Sequence, residues 1–195
     1  MSNPICYLCG RADPDSRDHV PARAIFYPRL PDDLMTAPAH RSCQGSFSRD
    51  EAYFASLLDE ALWQGRTGWL RFWDRRKAKS GRRSAPAQIE AERIQAVLKK
   101  IIQGLYFRHI GRLLSPAVQF NIRPEHGEEE AWDNGVEWQS RGTYGEFRYT
   151  WSGSPDKGMI WMLVFHDRFR FQFEVEVGVE DDPDYEKSVV LTTSN

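Results

Sequence analysis

The hydrophobic pattern of the chain predicts two helices in its first two thirds. The first begins at the capping-box signature Ser48-Arg-Asp-Glu51, a serine followed three residues later by a glutamate, and ends near Gly65. Its apolar face is formed by Phe54, Leu57, Leu58 and Leu62. The second helix is predicted over about residues 87–112, after Pro86. Its apolar stripe contains Ile94, Val97, Leu98, Ile101, Ile102, Leu105 and Ile110.

After Pro116 the pattern changes to the twofold period that is typical of strands. Residues 159–165 form a continuous apolar run, and residues 169–177 alternate apolar with polar side chains. The turn between these two segments is predicted at His166-Asp167-Arg168. The other alternating positions are Val118, Phe120, Ile122, Phe147, Tyr149 and Trp151. Together they predict an antiparallel sheet with one face in water.

Residues 1–47 are rich in proline and have no long periodic run, so this segment is predicted to need a metal or another crosslink. All three cysteines lie here, in Cys6-Tyr-Leu-Cys9 and His40-Arg-Ser-Cys43. Both pairs have the two-residue spacing that lets one turn present two ligands to a tetrahedral zinc. Cys6, Cys9, His40 and Cys43 are therefore predicted to bind a structural zinc. The alternative is two buried free cysteines and an unrelated third.

The charge of the chain is distributed unevenly along its 195 residues. Residues 1–123 carry 20 Lys and Arg against 12 Asp and Glu, whereas residues 124–195 carry 6 against 16. A polyanion would bind to the basic residues 1–123, although the basic and acidic parts of the chain could also simply attract each other. The segment 66–83 is the most basic, with tryptophans and a phenylalanine among its positive charges. It is interpreted either as a nucleic-acid contact, with Arg71, Arg75, Arg76 and Lys77 as candidates, or as a solvated linker.

Asp18-His19 lies between the two predicted zinc-binding pairs and is followed by Val20-Pro21. The series Cys6-x-x-Cys9-Gly10, Asp18-His19-Val20-Pro21, His40-x-x-Cys43 and Gln44 to Phe54 resembles the HNH endonucleases, the zinc-bearing branch of the ββα-metal nucleases. The resemblance covers residues 5–54, about a quarter of the chain, and the rest is similar only loosely.

This resemblance implies a fold and a mechanism. A β-hairpin would carry His19 as the general base, a role that suits a group with a pKa near neutrality. Asp18 would bind one catalytic Mg²⁺ or Mn²⁺, which takes hard oxygen ligands, while the zinc remains structural. Arg23, Arg41 and Arg49 are further candidates for phosphate contacts.

The sequence departs from the family pattern at two positions. Gln44 is predicted as the second ligand of the catalytic metal. It stands where the family usually has Asn or His, and its amide oxygen lies one methylene farther from the backbone. His40 stands where a cysteine is usual, which should affect zinc affinity more than the reaction.

The predicted class is α+β: an N-terminal zinc-stapled ββα-metal module, two helices and an antiparallel β-sheet. The predicted domains are 1–65, a basic linker 66–86, and 87–195. The predicted function is metal-dependent cleavage of phosphodiester bonds in nucleic acid, with DNA as the expected substrate. The alternative is a catalytically silent zinc module that binds nucleic acid or a protein partner. A weaker third hypothesis is that the acidic residues 124–195 mimic nucleic acid and occupy the basic groove of a partner. The sheet is a candidate surface for a protein partner.

No apolar run is long enough to cross a bilayer, and the N-terminus shows no secretory signal, so a cytoplasmic protein is expected. His109, His126 and His166 stand in no motif and are expected to be structural or to face solvent.

Overall fold

The computed structural model describes residues 4–28, 30–63, 90–115, 118–124, 137–142 and 145–176. Its N-terminal part is built on a hairpin of two antiparallel strands, β1 (Ser16–Val20) and β2 (Met35–Ala39). A 3-10 turn at Arg23–Phe26 lies between them and buries Ile25 and Phe26. The hydrophobic period alone does not predict these strands; only the family resemblance implied a hairpin here.

Within the described ranges, three helices follow or flank the hairpin: α1 (Arg41–Gly45), α2 (Ser48–Trp63) and α3 (Ala91–Ile110). Helix α2 begins at the predicted residue, and α3 lies inside the predicted range of 87–112. Helix α3 ends at Gly111, whose φ of 77° is the left-handed conformation that glycine adopts easily, and whose N–H donates to the carbonyl of Phe107.

The predicted antiparallel sheet is present and has five strands. They are β3 (Gln119–Pro124), β4 (Gln139–Arg141), β5 (Phe147–Ser154), β6 (Gly158–Phe165) and β7 (Phe169–Glu176), in the spatial order β3-β7-β6-β5-β4. The tight turn at 166–168 joins β6 to β7 as predicted, with positive φ at His166 and Asp167. The α+β class is therefore confirmed.

Aromatic side chains of the N-terminal part pack against the buried face of this sheet. The Phe26 ring lies 6.2 Å from Phe147, and the Phe54 ring of α2 lies 5.6 Å from Phe165 in an edge arrangement. His166 places Nε2 3.3 Å from the carbonyl oxygen of Ile25. His109 places Nε2 3.0 Å from the hydroxyl of Tyr149. Both histidines thus make structural contacts, and His126 lies outside the described residues.

Helix α3 belongs to the same core as the hairpin, although a linker was predicted between them. Gly104 of α3 approaches β1 so closely that an added Cβ would lie 2.6 Å from a methyl carbon of Val20. Lys100 of α3 pairs with Asp18 of β1. One buried cluster contains Cys6, Phe54, Leu98 and Phe171, from both sides of the predicted linker. The residues of that linker, 66–86, lie outside the described part of the chain.

Among the described residues, no helix has the length and apolar composition that crossing a bilayer requires.

Candidate metal centre and adjoining pocket

The four predicted zinc ligands come together in the structure. The Sγ atoms of Cys6, Cys9 and Cys43 and a ring nitrogen of His40 all lie within 4.8 Å of one another. The cluster is the one group of at least three metal-binding side chains within the described ranges that could hold an ion. Three thiolates and one imidazole are a donor set that tetrahedral zinc prefers, so this Cys3His cluster could bind a structural zinc.

A tight turn presents the first pair of ligands. The Gly10 N–H donates to the Cys6 carbonyl at 2.8 Å, and the Cys6 N–H donates to the Arg11 carbonyl at 2.9 Å. Gly10 has a φ of 73°, and an added Cβ would lie 2.7 Å from Leu113 Cδ1. Glycine directly after the second cysteine therefore serves both the turn and the close approach of the chain after α3.

Helix α1 presents the second pair. His40 is its N-cap residue, and the Gln44 N–H donates to the His40 carbonyl at 2.9 Å. His40 Nδ1 lies 3.4 Å from Cys9 Sγ, while Nε2 lies 3.1 Å from the carbonyl oxygen of Ala12. If Nε2 carries the hydrogen and donates to Ala12, then Nδ1 is left with its lone pair toward the cluster. Such an outer hydrogen bond commonly orients a metal-binding histidine.

The electrostatic surroundings favour thiolate at Cys9. Burial acts to raise its pKa, but hydrogen bonding with Arg11, together with contacts to His40 and Cys43, lowers the pKa of Cys9 to about 6. Burial and the neighbouring thiol of Cys9 raise the pKa of Cys43. Three thiolates and a zinc would carry one net negative charge, and the exposed Arg11 is placed to offset it.

Asp18 and His19 are neighbours in β1 but have different surroundings. Successive residues of a strand point to opposite faces, and Asp18 is 2% exposed whereas His19 is only half-buried. The Asp18 carboxylate accepts a hydrogen bond from the Tyr7 hydroxyl at 2.7 Å. It also pairs with Lys100, whose Nζ lies 2.7 Å from the same oxygen, Oδ2.

Lys100 joins Asp18 to a second buried carboxylate. Its ammonium group donates to Glu51 Oε1 of α2, and it lies 5.4 Å from the centre of the Phe47 ring. Lys100 is 2% exposed and Glu51 8%. Burial raises the pKa of Glu51, although Lys100 opposes that effect. Glu51 was predicted to cap α2 through its side chain; its carboxylate instead contacts Lys100.

His19 lines a small pocket beside this ion cluster, and the pocket is too narrow in this structure to admit a water molecule. The other lining residues are Tyr7, Val20, Ala22, Glu51, Lys100 and Ile101. Asp18 is not among them, so Glu51 is the lining carboxylate. Partial burial and the nearby charge of Arg23 lower the pKa of His19, against a smaller opposing effect of Asp18. A lowered pKa keeps the imidazole neutral near pH 7, which is the form that can accept a proton.

The predicted ligands of a catalytic Mg²⁺ or Mn²⁺ are engaged by protein groups. Asp18 Oδ2 faces both Tyr7 and Lys100, and the amide oxygen of Gln44 accepts a hydrogen bond from the Ser16 hydroxyl at 3.3 Å. A divalent ion needs oxygen lone pairs directed at one point. As arranged here, Asp18 and Gln44 do not fit such a site.

The candidate phosphate contacts fall in different places. Arg23 is exposed in the 3-10 turn and its charge reaches His19. Arg41 is exposed beside the zinc ligands, where its N–H donates to Asp15 at 2.8 Å. Arg49 is exposed in the first turn of α2, and its carbonyl accepts from Arg93. Outside the described residues lie Arg71, Arg75, Arg76 and Lys77.

Sequence reasoning missed three residues of this region: Tyr7, Glu51 and Lys100. Tyr7 stands between two predicted zinc ligands and belongs to no motif of its own, and the capping-box signature already accounts for Glu51. Lys100 stands on a helix that was predicted to belong to another domain. One signal could have identified it, since it is a lysine among the apolar positions Val97, Leu98, Ile101 and Ile102.

No protein-family model, no curated protein and no solved structure matches this chain.

Proposed function

We propose that this protein is a nuclease of the HNH type that hydrolyses phosphodiester bonds, with DNA as its substrate and His19 as the general base. The observation that carries the proposal is the position of His19, half-buried on strand β1 of the hairpin that the two pairs of zinc ligands flank. The support from sequence is the spacing of Asp18-His19 between the two ligand pairs.

The zinc in this proposal is a scaffold. With four protein ligands the site is closed, which is typical of structural zinc. The first pair lies beside β2, since the Tyr7 N–H donates to the Pro38 carbonyl at 3.0 Å, and the second pair directly follows β2. A bound zinc would therefore fix the hairpin that carries His19.

His19 would accept the proton of the attacking water. Its neutral form would be the active one, and the adjacent Arg23 would help to attract the phosphate. Lys100 also lines the pocket, but its ammonium group is buried between the carboxylates of Asp18 and Glu51.

The test is cleavage of plasmid and single-stranded DNA by the full chain in Mg²⁺, in Mn²⁺ and in EDTA. Wild type should nick the plasmid, and His19→Ala should lower the rate by at least about 100-fold, as loss of a general base does. His126→Ala, a histidine in no motif, is the control and should act like wild type. Absence of cleavage in every condition, or equal cleavage by His19→Ala, would refute the proposal.

The second candidate is a silent zinc module that binds nucleic acid or a protein partner. It is favoured by the engagement of Asp18 and Gln44 with protein groups. This candidate predicts DNA binding that weakens steeply with salt and no cleavage. Titration of labelled DNA at two salt concentrations would measure it.

A further inference from the structure

We propose that Arg17 binds a phosphate group of DNA beside His19, and that Thr36 across the hairpin holds the guanidinium group in place for this contact. The inference deepens the proposed function and rests on it, because it names a residue that would hold the substrate on the side of the hairpin where His19 lies. Arg17 is not one of the phosphate contacts predicted from the sequence.

Arg17 and His19 lie on the same face of β1. They are two positions apart in the strand, and alternate residues of a strand point to the same side. Two positions of a strand span about 6.7 Å. Asp18 between them points to the opposite side and is buried, whereas Arg17 is exposed and His19 is half-buried. A phosphate that approaches His19 from solvent therefore comes over the face that carries Arg17.

Thr36 turns the Arg17 side chain toward the position of His19. In the antiparallel register Thr36 pairs with His19, while the residue directly opposite Arg17 is Pro38. Arg17 nevertheless reaches along the hairpin to Thr36, where Nε donates to the hydroxyl oxygen at 2.9 Å and Nη2 donates to the carbonyl oxygen at 3.4 Å. The guanidinium group is thus held at the residue that lies opposite His19.

Most of the hydrogen-bonding capacity of Arg17 is available to a ligand. A guanidinium group has five N–H donors, and the bonds to Thr36 use one on Nε and one on Nη2. Among the residues that the structure describes, no carboxylate pairs with Arg17, whereas Arg93 pairs with Asp50 at 2.7 Å. The planar group with its remaining donors suits two oxygens of a phosphate, and its charge is not neutralised by a neighbour.

The first experiment measures DNA binding and does not depend on cleavage. A labelled DNA duplex is titrated with the full chain at several salt concentrations, without added Mg²⁺ or Mn²⁺. Arg17→Gln should bind about tenfold more weakly, and the slope of log K against log salt should be less steep by about 0.9, the value for one phosphate contact. An unchanged affinity and slope would overturn the inference.

Arg168→Gln is the matched control for that change. It removes the same charge from an exposed arginine in the turn between β6 and β7. It should keep the affinity and the salt slope of wild type. If Arg168→Gln weakens binding as much as Arg17→Gln does, then the effect comes from net charge alone and the inference fails.

Thr36→Val separates a phosphate contact from a purely structural role of Arg17. Valine has a similar shape but lacks the hydroxyl that holds Nε, and the charge of Arg17 is kept. Binding should therefore weaken by no more than about threefold, with the salt slope of wild type. If Arg17 only stabilises the hairpin, both variants should lose the same affinity and the same melting temperature without any change of slope, and that result would overturn the inference.

Cleavage of plasmid in Mg²⁺ distinguishes this inference from the nuclease proposal. At DNA concentrations below KM, Arg17→Gln should nick about tenfold more slowly than wild type, in line with its weaker binding. If wild type and Arg17→Gln cleave equally fast, the inference fails and the nuclease proposal stands. If no protein cleaves but Arg17→Gln has the shallower salt slope, the nuclease proposal fails and the phosphate contact of Arg17 is supported. A wild-type protein that binds no DNA would overturn both.

Discussion

Two clusters of ionisable side chains lie beside the N-terminal hairpin, and the chain assembles them in opposite ways. The zinc ligands come from two local turns, and only Cys6 among them is fully buried. The residues Asp18, Glu51 and Lys100 come from three separate elements and are all buried. The first cluster can be identified from spacing alone. The second exists only because α3 packs against the hairpin and α2, and spacing therefore gives no sign of it.

The zinc cluster should have the larger effect on folding. Cys43→Ser should lose zinc and unfold the N-terminal module. The apparent binding free energy of a structural zinc is about 10–16 kcal/mol, and that is comparable with the whole stability of a domain, about 5–15 kcal/mol. Metal analysis and circular dichroism would measure both effects.

Ser42→Ala is the matched control for that change, because Ser42 is an exposed neighbour of Cys43 in α1. It should keep about one zinc per chain and the melting temperature of the wild type. A Cys43→Ser protein that keeps zinc and its fold would mean that the four residues do not form the predicted site.

The second-largest effect on stability is expected from the buried ion cluster of Asp18, Glu51 and Lys100. Lys100→Met should lower the free energy of unfolding by about 3–5 kcal/mol, because it leaves two buried carboxylates without a positive partner. Lys99→Met should cost less than about 1 kcal/mol, because Lys99 is half-buried and makes a contact of its own but carries no buried ion pair of this kind. Urea denaturation would compare the two variants.

A further variant separates charge from packing at this cluster. Adding Asp18→Asn and Glu51→Gln to Lys100→Met removes both unpaired charges and should recover part of the lost stability. If the triple variant is no more stable than Lys100→Met, then the loss comes from packing and not from unpaired charge.

The close approach of α3 to β1 should have a smaller effect. Gly104→Ala places a methyl group against Val20 and should cost about 1–3 kcal/mol, the range for overpacking a core. Gly45→Ala in α1 has open space and should be neutral or slightly stabilising. Equal stabilities of the two variants in thermal melts would mean that α3 does not pack here as described.

The smallest expected effect concerns pH and His166, a histidine that belongs to neither cluster. Burial lowers the pKa of His166, against smaller opposing effects of the hydrogen bond to Ile25 and of Glu146, Asp167 and Asp59. The folded state therefore binds this proton less readily than the unfolded state, whose histidine pKa is about 6.5. The contribution of neutral His166 to the free energy of unfolding is therefore complete above the unfolded pKa. It is lost as the pH falls from that value through the lower pKa of the folded state.

His166→Asn should flatten this pH dependence, since asparagine also tolerates the positive φ of 52° at that position. Urea denaturation at pH 7.5 and pH 5.5 would measure the slope for both proteins. An unchanged slope would assign the pH dependence to other groups.

The sequence predicts the fold well where the pattern is local and periodic. Helix α2 starts at the predicted Ser48, and the turn at His166-Asp167-Arg168 joins the predicted strands. The hairpin of β1 and β2 is short and interrupted by prolines, so its strands have no hydrophobic period of their own. The family resemblance indicated the hairpin, although its identification as a ββα-metal module stays a proposal.

The candidate site is predictable only in part, for a physical reason. Zinc ligands are recognised because the metal demands a fixed spacing within each turn. The partner of Asp18 is set by packing between elements far apart in the chain, and Lys100 lies 82 positions away in the sequence. Lys100 contacts an oxygen of Asp18, the residue that the motif predicts as a metal ligand.

Because Lys100 lies on α3, the N-terminal motif cannot be transferred to another protein as a short fragment without losing this lysine. A fragment ending at residue 63 would contain the zinc ligands, His19 and both carboxylates, but not the lysine between them. Transplanted as a cassette, it would bury two acids without a counterion. Recombination within residues 64–89 would therefore preserve the pocket only when a helix equivalent to α3 is inherited with it.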